Sequence, residues 1–168
     1  MVKTSYAIAL GSNRRHGSHG APAAVTQAAV EAIATLGDVE AVSAIRATPA
    51  LGPAGRSFAN AALLLFSKHE PDALLAELKA IERAFGRRNG RRWGLRVLDL
   101  DIILWSGGAW ASTGLVIPHP AFRDRGFVLE PLAEIAAGWR DPVTGATVRQ
   151  LLFRLRRPRP VDRRAPLS

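Results

Sequence analysis

Residues 92 to 105 read RWGLRVLDLDIILW, so Asp99 and Asp101 stand one residue apart in an apolar run that follows directly on a group of arginines. A carboxylate is costly to desolvate without a partner. In an extended strand, alternation puts Asp99 and Asp101 on one face, with Cα atoms ~6.5 to 7 Å apart, and turns Leu98, Leu100, Ile102 and Leu104 to the other. The aspartate face continues with Ile103 and Trp105. That predicts a central strand covered on both sides, with the carboxylates where the cover gives way to a cleft. Mg²⁺ would suit such a pair, since it takes one or two carboxylates and completes its shell with water and substrate phosphates. The arginines would then clamp phosphate oxygens through their forked donors. A structural ion-pair cluster with Arg96 and its neighbours is the competing reading. Residues 86 to 96 hold five arginines and no acid. That exceeds what two carboxylates need and favours an anionic ligand. Neither a P-loop nor a Rossmann glycine motif is present, so a nucleotide would be held in another way.

The elements that must position this pair follow from periodicity. YAIAL (6 to 10) reads as a strand, with Tyr6, Ile8 and Leu10 on one face and Ala7 and Ala9 on the other. Pro22 opens a helix whose stripe is Val25, Ala29, Ala32, Ile33 and Leu36, stopped by Gly37. Residues 39 to 46 form a weaker strand, 48 to 56 a Pro/Gly loop and 57 to 66 a strong strand. Pro71 opens a second helix with the stripe Leu74, Leu75, Leu78, Ile81 and Phe85, closed by Gly86. The strand 98 to 105 comes next. The order is β-α-β-β-α-β, an α/β (α+β) split βαβ or ferredoxin-like sheet, with residues 106 to 168 added as loops and short helices.

With 168 residues, 48% of them hydrophobic, the chain can bury a core in one domain. We expect that domain to span residues 1–156, followed by an Arg/Pro-rich tail, 157–168. The absence of cysteine excludes a disulfide framework and a Cys nucleophile, and it is compatible with a reducing compartment. Without a signal-peptide core or an apolar run of membrane length, the cytoplasm is the simplest address. The net charge of +9 sits in two places, residues 86 to 96 and 154 to 168, which carry +5 each and leave −1 elsewhere. The second of these reads as a solvated, frayed end.

The segments ALGSN (9 to 13), ATPALGP (47 to 53), FANAA (58 to 62), IERAFGR (81 to 87), RWGLRVLDLDIIL (92 to 104) and IPHPAFRDRGFVLEPL (117 to 132) occur in this order. Together they closely resemble the 6-hydroxymethyl-7,8-dihydropterin pyrophosphokinase family of folate biosynthesis. The resemblance implies a ferredoxin-like fold and transfer of pyrophosphate from MgATP to the pterin's hydroxymethyl group, releasing AMP. It implies that Asp99 and Asp101 hold two Mg²⁺ ions and that Arg87 and Arg96 act on the phosphates. ATP contacts are implied at Glu82, Arg88 (or Arg91 in its place), Trp93, Arg96, Ile102, His119 and Arg125. Pterin contacts are implied at Thr48, Leu51, Phe58, Asn60, Asp99 and Phe127, with the two phenylalanines stacking on the ring and Asn60 reading its edge. From the residues alone, without the resemblance, packing is the favoured reading of His119, Trp93, Phe58 and Phe127.

The chain departs from the family pattern at Leu95, where proline is usual, at Pro120, where an aromatic residue often follows the histidine, at Lys79 for glutamine and at Ala50 for a second proline. The expected partners are small molecules, with no nucleic acid and no membrane, and the expected state is a monomer. An RNA-recognition module shares the β-α-β-β-α-β order. It fits less well, because there is no RNP-like aromatic pattern and two aspartates would repel a nucleic-acid backbone.

Overall fold

The structure is a computed structural model that describes residues 2–13, 20–48, 57–87 and 97–159. The first loop, 14–19, and the last nine residues, 160–168, lie outside the described residues. Strand β1 (Thr4–Ser12) is followed by α1 (Pro22–Ile33), β2 (Asp38–Val42), β3 (Arg46–Thr48), β4 (Phe58–Ser67), α2 (Pro71–Arg87) and β5 (Asp99–Trp105). The sheet order is β2-β4-β1-β5, every pairing is antiparallel, and β3 also pairs with β4. This is the expected split βαβ arrangement. A hairpin of β6 (Trp110–Ser112) and β7 (Leu115–Ile117) comes next, then a 3-10 turn at Phe122–Asp124, α3 (Gly126–Ala136) and α4 (Val148–Arg156).

Both faces of the sheet are covered. Tyr6, Ile8 and Leu10 of β1 meet Val25, Ala29 and Ile33 of α1, Leu74 and Leu78 of α2, and Leu100 and Ile102 of β5 on one side. Ala7, Ala62, Leu64 and Ile103 meet Val128, Leu129 and Leu132 of α3 and Val148, Leu151 and Leu152 of α4 on the other. The apolar stripes fix which faces turn inward, and each fully buried Leu or Ile contributes about 1.5–3 kcal/mol. α4 starts on a capping box: the Gln150 N–H donates to Thr147 Oγ1 at 3.2 Å, and the Thr147 N–H to Gln150 Oε1 at 2.9 Å.

Four expectations are corrected. The strand expected over 39 to 46 is two, because Ser43 interrupts the ladder: its Oγ, in place of a carbonyl, accepts the Ala62 N–H at 2.9 Å. The stripe of the first helix runs to Leu36, but the helix ends at Ile33, where the Thr35 and Leu36 N–H groups bond three residues back and tighten the turn. Gly37 then passes so close to β4 that a Cβ would lie 2.4 Å from the Phe66 carbonyl oxygen. The aspartate strand, expected to be central, is at the edge, because β1 pairs with it on one side only.

The fourth correction concerns alternation on β5. The register shifts between Ala7 and Ile8, which pair with Leu104 and Ile102, so Ile103 is an extra residue. Past this bulge the faces exchange. Leu104 joins Ile103 in the cluster under α3 and α4, and Trp105 turns to the opposite side, where its ring stacks on Tyr6 at 6.2 Å. Asp99 and Asp101 precede the bulge, so their shared face is preserved.

Candidate active site

The site forms where α3 stops covering the sheet. On that face β1 contributes Ala7, Ala9 and Gly11, so the side chains shrink to nothing toward the end of the strand. The register sets Gly11 opposite Asn60 on one side and Asp99 on the other, and Ala9 opposite Ala62 and Asp101. With neighbouring strands ~4.8 Å apart, Asn60 and Asp99 flank a side-chain-free strip about 10 Å wide. The room is used: a Cβ on Gly11 would come within 3.3 Å of Asn60 Oδ1. Above this floor is a cleft of about 740 Å³ lined by Ala9, Leu10, Gly11, Ser12, Asn13, Phe58, Asn60, Asp99, Asp101, Arg125, Phe127 and Val128. That volume suits a small organic ligand.

Phe58 is 44% exposed and Phe127 55% exposed, so neither is a core residue. Exposed rings on a cleft wall offer stacking surfaces. Phe127 lies in the first turn of α3, and the Arg125 guanidinium sits 5.8 Å from its ring centre. Arg125 thus carries its charge over the aromatic wall and into the cleft.

His119 approaches from beyond β5. Its N–H donates to the Ile103 carbonyl at 3.0 Å, and its Nδ1 accepts the Ala121 N–H at 3.1 Å, which leaves the neutral ring's proton on Nε2. Burial lowers its pKa, the charge of Asp101 opposes the shift and that of Arg125 adds to it. The ring therefore lies within the fields of both cleft-lining charges.

Glu82 of α2 lies at the outer edge of β5. Its Oε1 accepts the Leu100 N–H at 2.8 Å, and its Oε2 meets Lys79 Nζ at 3.1 Å. An edge strand exposes alternate backbone groups, and Glu82 caps the one between the two aspartates. The same alternation turns the backbone of Ile102 to this edge, while its side chain is buried in the core. Neither residue lines the cleft. Thr48 ends β3, paired with Phe58, and Arg87 ends α2. Leu51, Arg88, Arg91, Trp93 and Arg96 lie outside the described residues.

A salt bridge stands behind the 119–128 segment. Arg123 makes a forked contact with Asp141, Nε to Oδ2 at 2.5 Å and Nη2 to Oδ1 at 2.9 Å. Asp141 is fully buried and also accepts from Thr144 Oγ1 at 2.7 Å and the Val143 N–H at 3.0 Å. The Arg123 hydrogen bond chiefly, with those from Thr144 and Val143, lowers its pKa to about 2.

Among the described residues no group of three or more His, Cys, Asp or Glu is placed to hold a metal. Two carboxylates on a solvent-facing floor instead fit Mg²⁺, which leaves most of its coordination to water and phosphate. Ala9, Gly11, Leu10, Ser12, Asn13 and Val128 line the cleft without having been given a site role from the sequence, although all fall within segments that carry the family resemblance. The signal for the first two was there in the shrinking side chains of one β1 face.

The family described as 7,8-dihydro-6-hydroxymethylpterin-pyrophosphokinase (HPPK) matches residues 7–137. The 2-amino-4-hydroxy-6-hydroxymethyldihydropteridine pyrophosphokinase of Synechocystis sp. is 42% identical over 115 residues, a match covering 68% of this chain and 59% of the relative. Its namesake from Methylorubrum extorquens is 39% identical over 151 residues, covering 88% of this chain and 91% of the relative. The wild-type HPPK-DHPS chain of Plasmodium falciparum has the same fold, with a TM-score of 0.67 at 12% identity over 90% of this chain and 44% of that one.

Proposed function

The chain belongs to the 7,8-dihydro-6-hydroxymethylpterin-pyrophosphokinase family, and on that premise we propose that it transfers pyrophosphate from ATP to the hydroxymethyl group of 6-hydroxymethyl-7,8-dihydropterin. The observation that carries the reading is one cleft joining two exposed phenylalanines and Asn60 to Asp99 and Asp101. A flat heterocycle stacks between Phe58 and Phe127, and Asn60 reads its edge, which directs the hydroxymethyl arm toward the aspartates. Arg125 faces the same space and takes phosphate oxygens, joined by Arg87 and Arg96. Thr48 and Leu51 border the ring. The nucleotide lies along the outer edge of β5, where Ile102 offers main-chain groups, Glu82 and Lys79 offer charge, and Trp93, Arg88 and His119 complete its surroundings.

The hydroxymethyl oxygen attacks the β-phosphorus and gives up its proton to solvent, the bond from that phosphorus to the oxygen it shares with the α-phosphate breaks, and AMP leaves with that oxygen. Two Mg²⁺ ions held by Asp99 and Asp101 would neutralise phosphate charge. The protein's own share is positioning and water exclusion: it holds nucleophile and phosphorus in line, which spares the entropy of bringing them together. His119, kept neutral by burial, contributes an Nε2–H donor. We assign the protein to the cytoplasm as a monomer. The chain has no cysteine, and no helix of the described residues is long and apolar enough to cross a membrane.

The test is to incubate the protein with MgATP and the reduced pterin and to measure nucleotide products. AMP formed only when pterin is present supports the assignment. Release of ADP, or turnover indifferent to pterin, overturns it.

A further inference from the structure

Asn13 follows the last residue of β1. Ser12 before it is anchored by its Oγ, which donates to the Val97 carbonyl at 2.7 Å, and Gly11 lies opposite Asn60 and Asp99. Asn13 lines the cleft, yet its Oδ1 is buried without a hydrogen-bond partner. Buried polar atoms in native proteins nearly always have a partner, so an exception in a cleft wall calls for a cause. The partner can arrive with the ligand, because a carboxamide turns readily about its last side-chain bond and can present its oxygen to the cleft. An amide oxygen only accepts. It repels phosphate oxygens and is satisfied by an N–H or O–H donor or by a cation.

We propose that Asn13 is a specificity-determining residue whose amide oxygen accepts a hydrogen bond from an N–H of the bound pterin, making a second carboxamide reader beside Asn60. This rests on the pterin assignment above. An oxygen that lacks a partner in the free protein and gains one on binding adds discrimination against rings without the donor.

The experiment is calorimetry on the full chain with a non-hydrolysable MgATP analogue, then with analogue plus pterin, alongside thermal unfolding without ligand. For Asn13→Ala we expect a melting temperature at or above wild type, an unchanged analogue Kd and a pterin Kd raised roughly tenfold or more. Asn13→Asp, which keeps an acceptor, should recover part of the pterin affinity. An unchanged pterin Kd in Asn13→Ala overturns the inference alone, provided the wild type binds. A lowered melting temperature with equal loss of both ligands assigns the oxygen to the fold and also overturns it, as does selective loss of the analogue, which would place the contact on the nucleotide or its metal. Wild-type protein that fails to bind pterin overturns this inference together with the proposed function.

Discussion

Asp99 and Asp101 face a cleft and not a packed interior, so removing either carboxylate is a change in chemistry more than in packing. Asp99→Ala or Asp101→Ala should lower turnover about a thousandfold, roughly 4 kcal/mol of transition-state stabilisation, with the melting temperature unchanged. Unfolding, with normal turnover in the folded fraction, would return the pair to a structural ion cluster. The aromatic wall gives a complementary prediction. Phe127 is 55% exposed in the free protein, so Phe127→Ala should leave stability nearly untouched. It should weaken pterin binding by about 1–3 kcal/mol through lost stacking and burial, with little effect on an ATP analogue alone. Equal loss of both ligands in calorimetry would show that the ring shapes the cleft and does not contact the pterin. The floor can be tested at Gly11, where an added Cβ would meet Asn60 Oδ1 at 3.3 Å. Gly11→Ala should push the amide aside and raise the pterin Kd, while the core beneath, on the other face of β1, stays intact.

Between elements, two polar links hold the site's parts in place. The Arg123–Asp141 pair ties the turn before α3 to the segment before α4, so it fixes the stretch that carries His119, Arg125 and Phe127. Its pH dependence can be derived. The Asp141 pKa falls from an ordinary 3.8 to about 2 on folding, so the folded state binds fewer protons below the unfolded value. The stabilisation, about 2 kcal/mol, is therefore fully present above pH ~4 and disappears as pH falls toward 2. The gap in unfolding free energy between wild type and Asp141→Asn, measured by urea titration, should be largest at neutral pH and shrink below pH ~3. A gap independent of pH would mean that the carboxylate's charge contributes nothing. The second link is Glu82, which joins α2 to the edge strand through the Leu100 N–H. Leu100 lies between the two aspartates, so this bond links α2 to the backbone that carries both carboxylates.

For the molecule as a whole, the distribution of charge matters more than the total of +9. Arg154 and Arg156 end α4 as exposed residues, and Arg157 lies 5.5 Å from the Phe153 ring. Arg156 pairs with Glu130 of α3 at 3.1 Å, Arg157 follows the last residue of the helix, and none of the three lines the cleft. Deleting residues 157 to 168 should leave turnover nearly intact, whereas Arg96→Ala should impair it strongly. A truncation that abolishes nucleotide binding while Arg96→Ala is mild would show the two basic clusters to have the opposite roles.

Periodicity by itself determined the β-α-β-β-α-β order and the faces of β1, α1 and α2, because a buried stripe leaves its mark every two or every 3.6 residues. It also determined that Asp99 and Asp101 share a face, since their separation of two residues holds in any strand without a bulge between them. The position of β5 at the sheet edge was decided only by tertiary structure. An edge strand whose faces are both covered has the same apolar composition as a central one. The bulge at Ile103 and the break at Ser43 depend on pairing partners that lie far away in sequence, and no local pattern marks them. Convergence on the cleft was likewise a matter of strand order. Phe58, Asn60, Asp99 and Phe127 come from three separate elements, and only the register of β1 against both β4 and β5 brings Gly11 between Asn60 and Asp99.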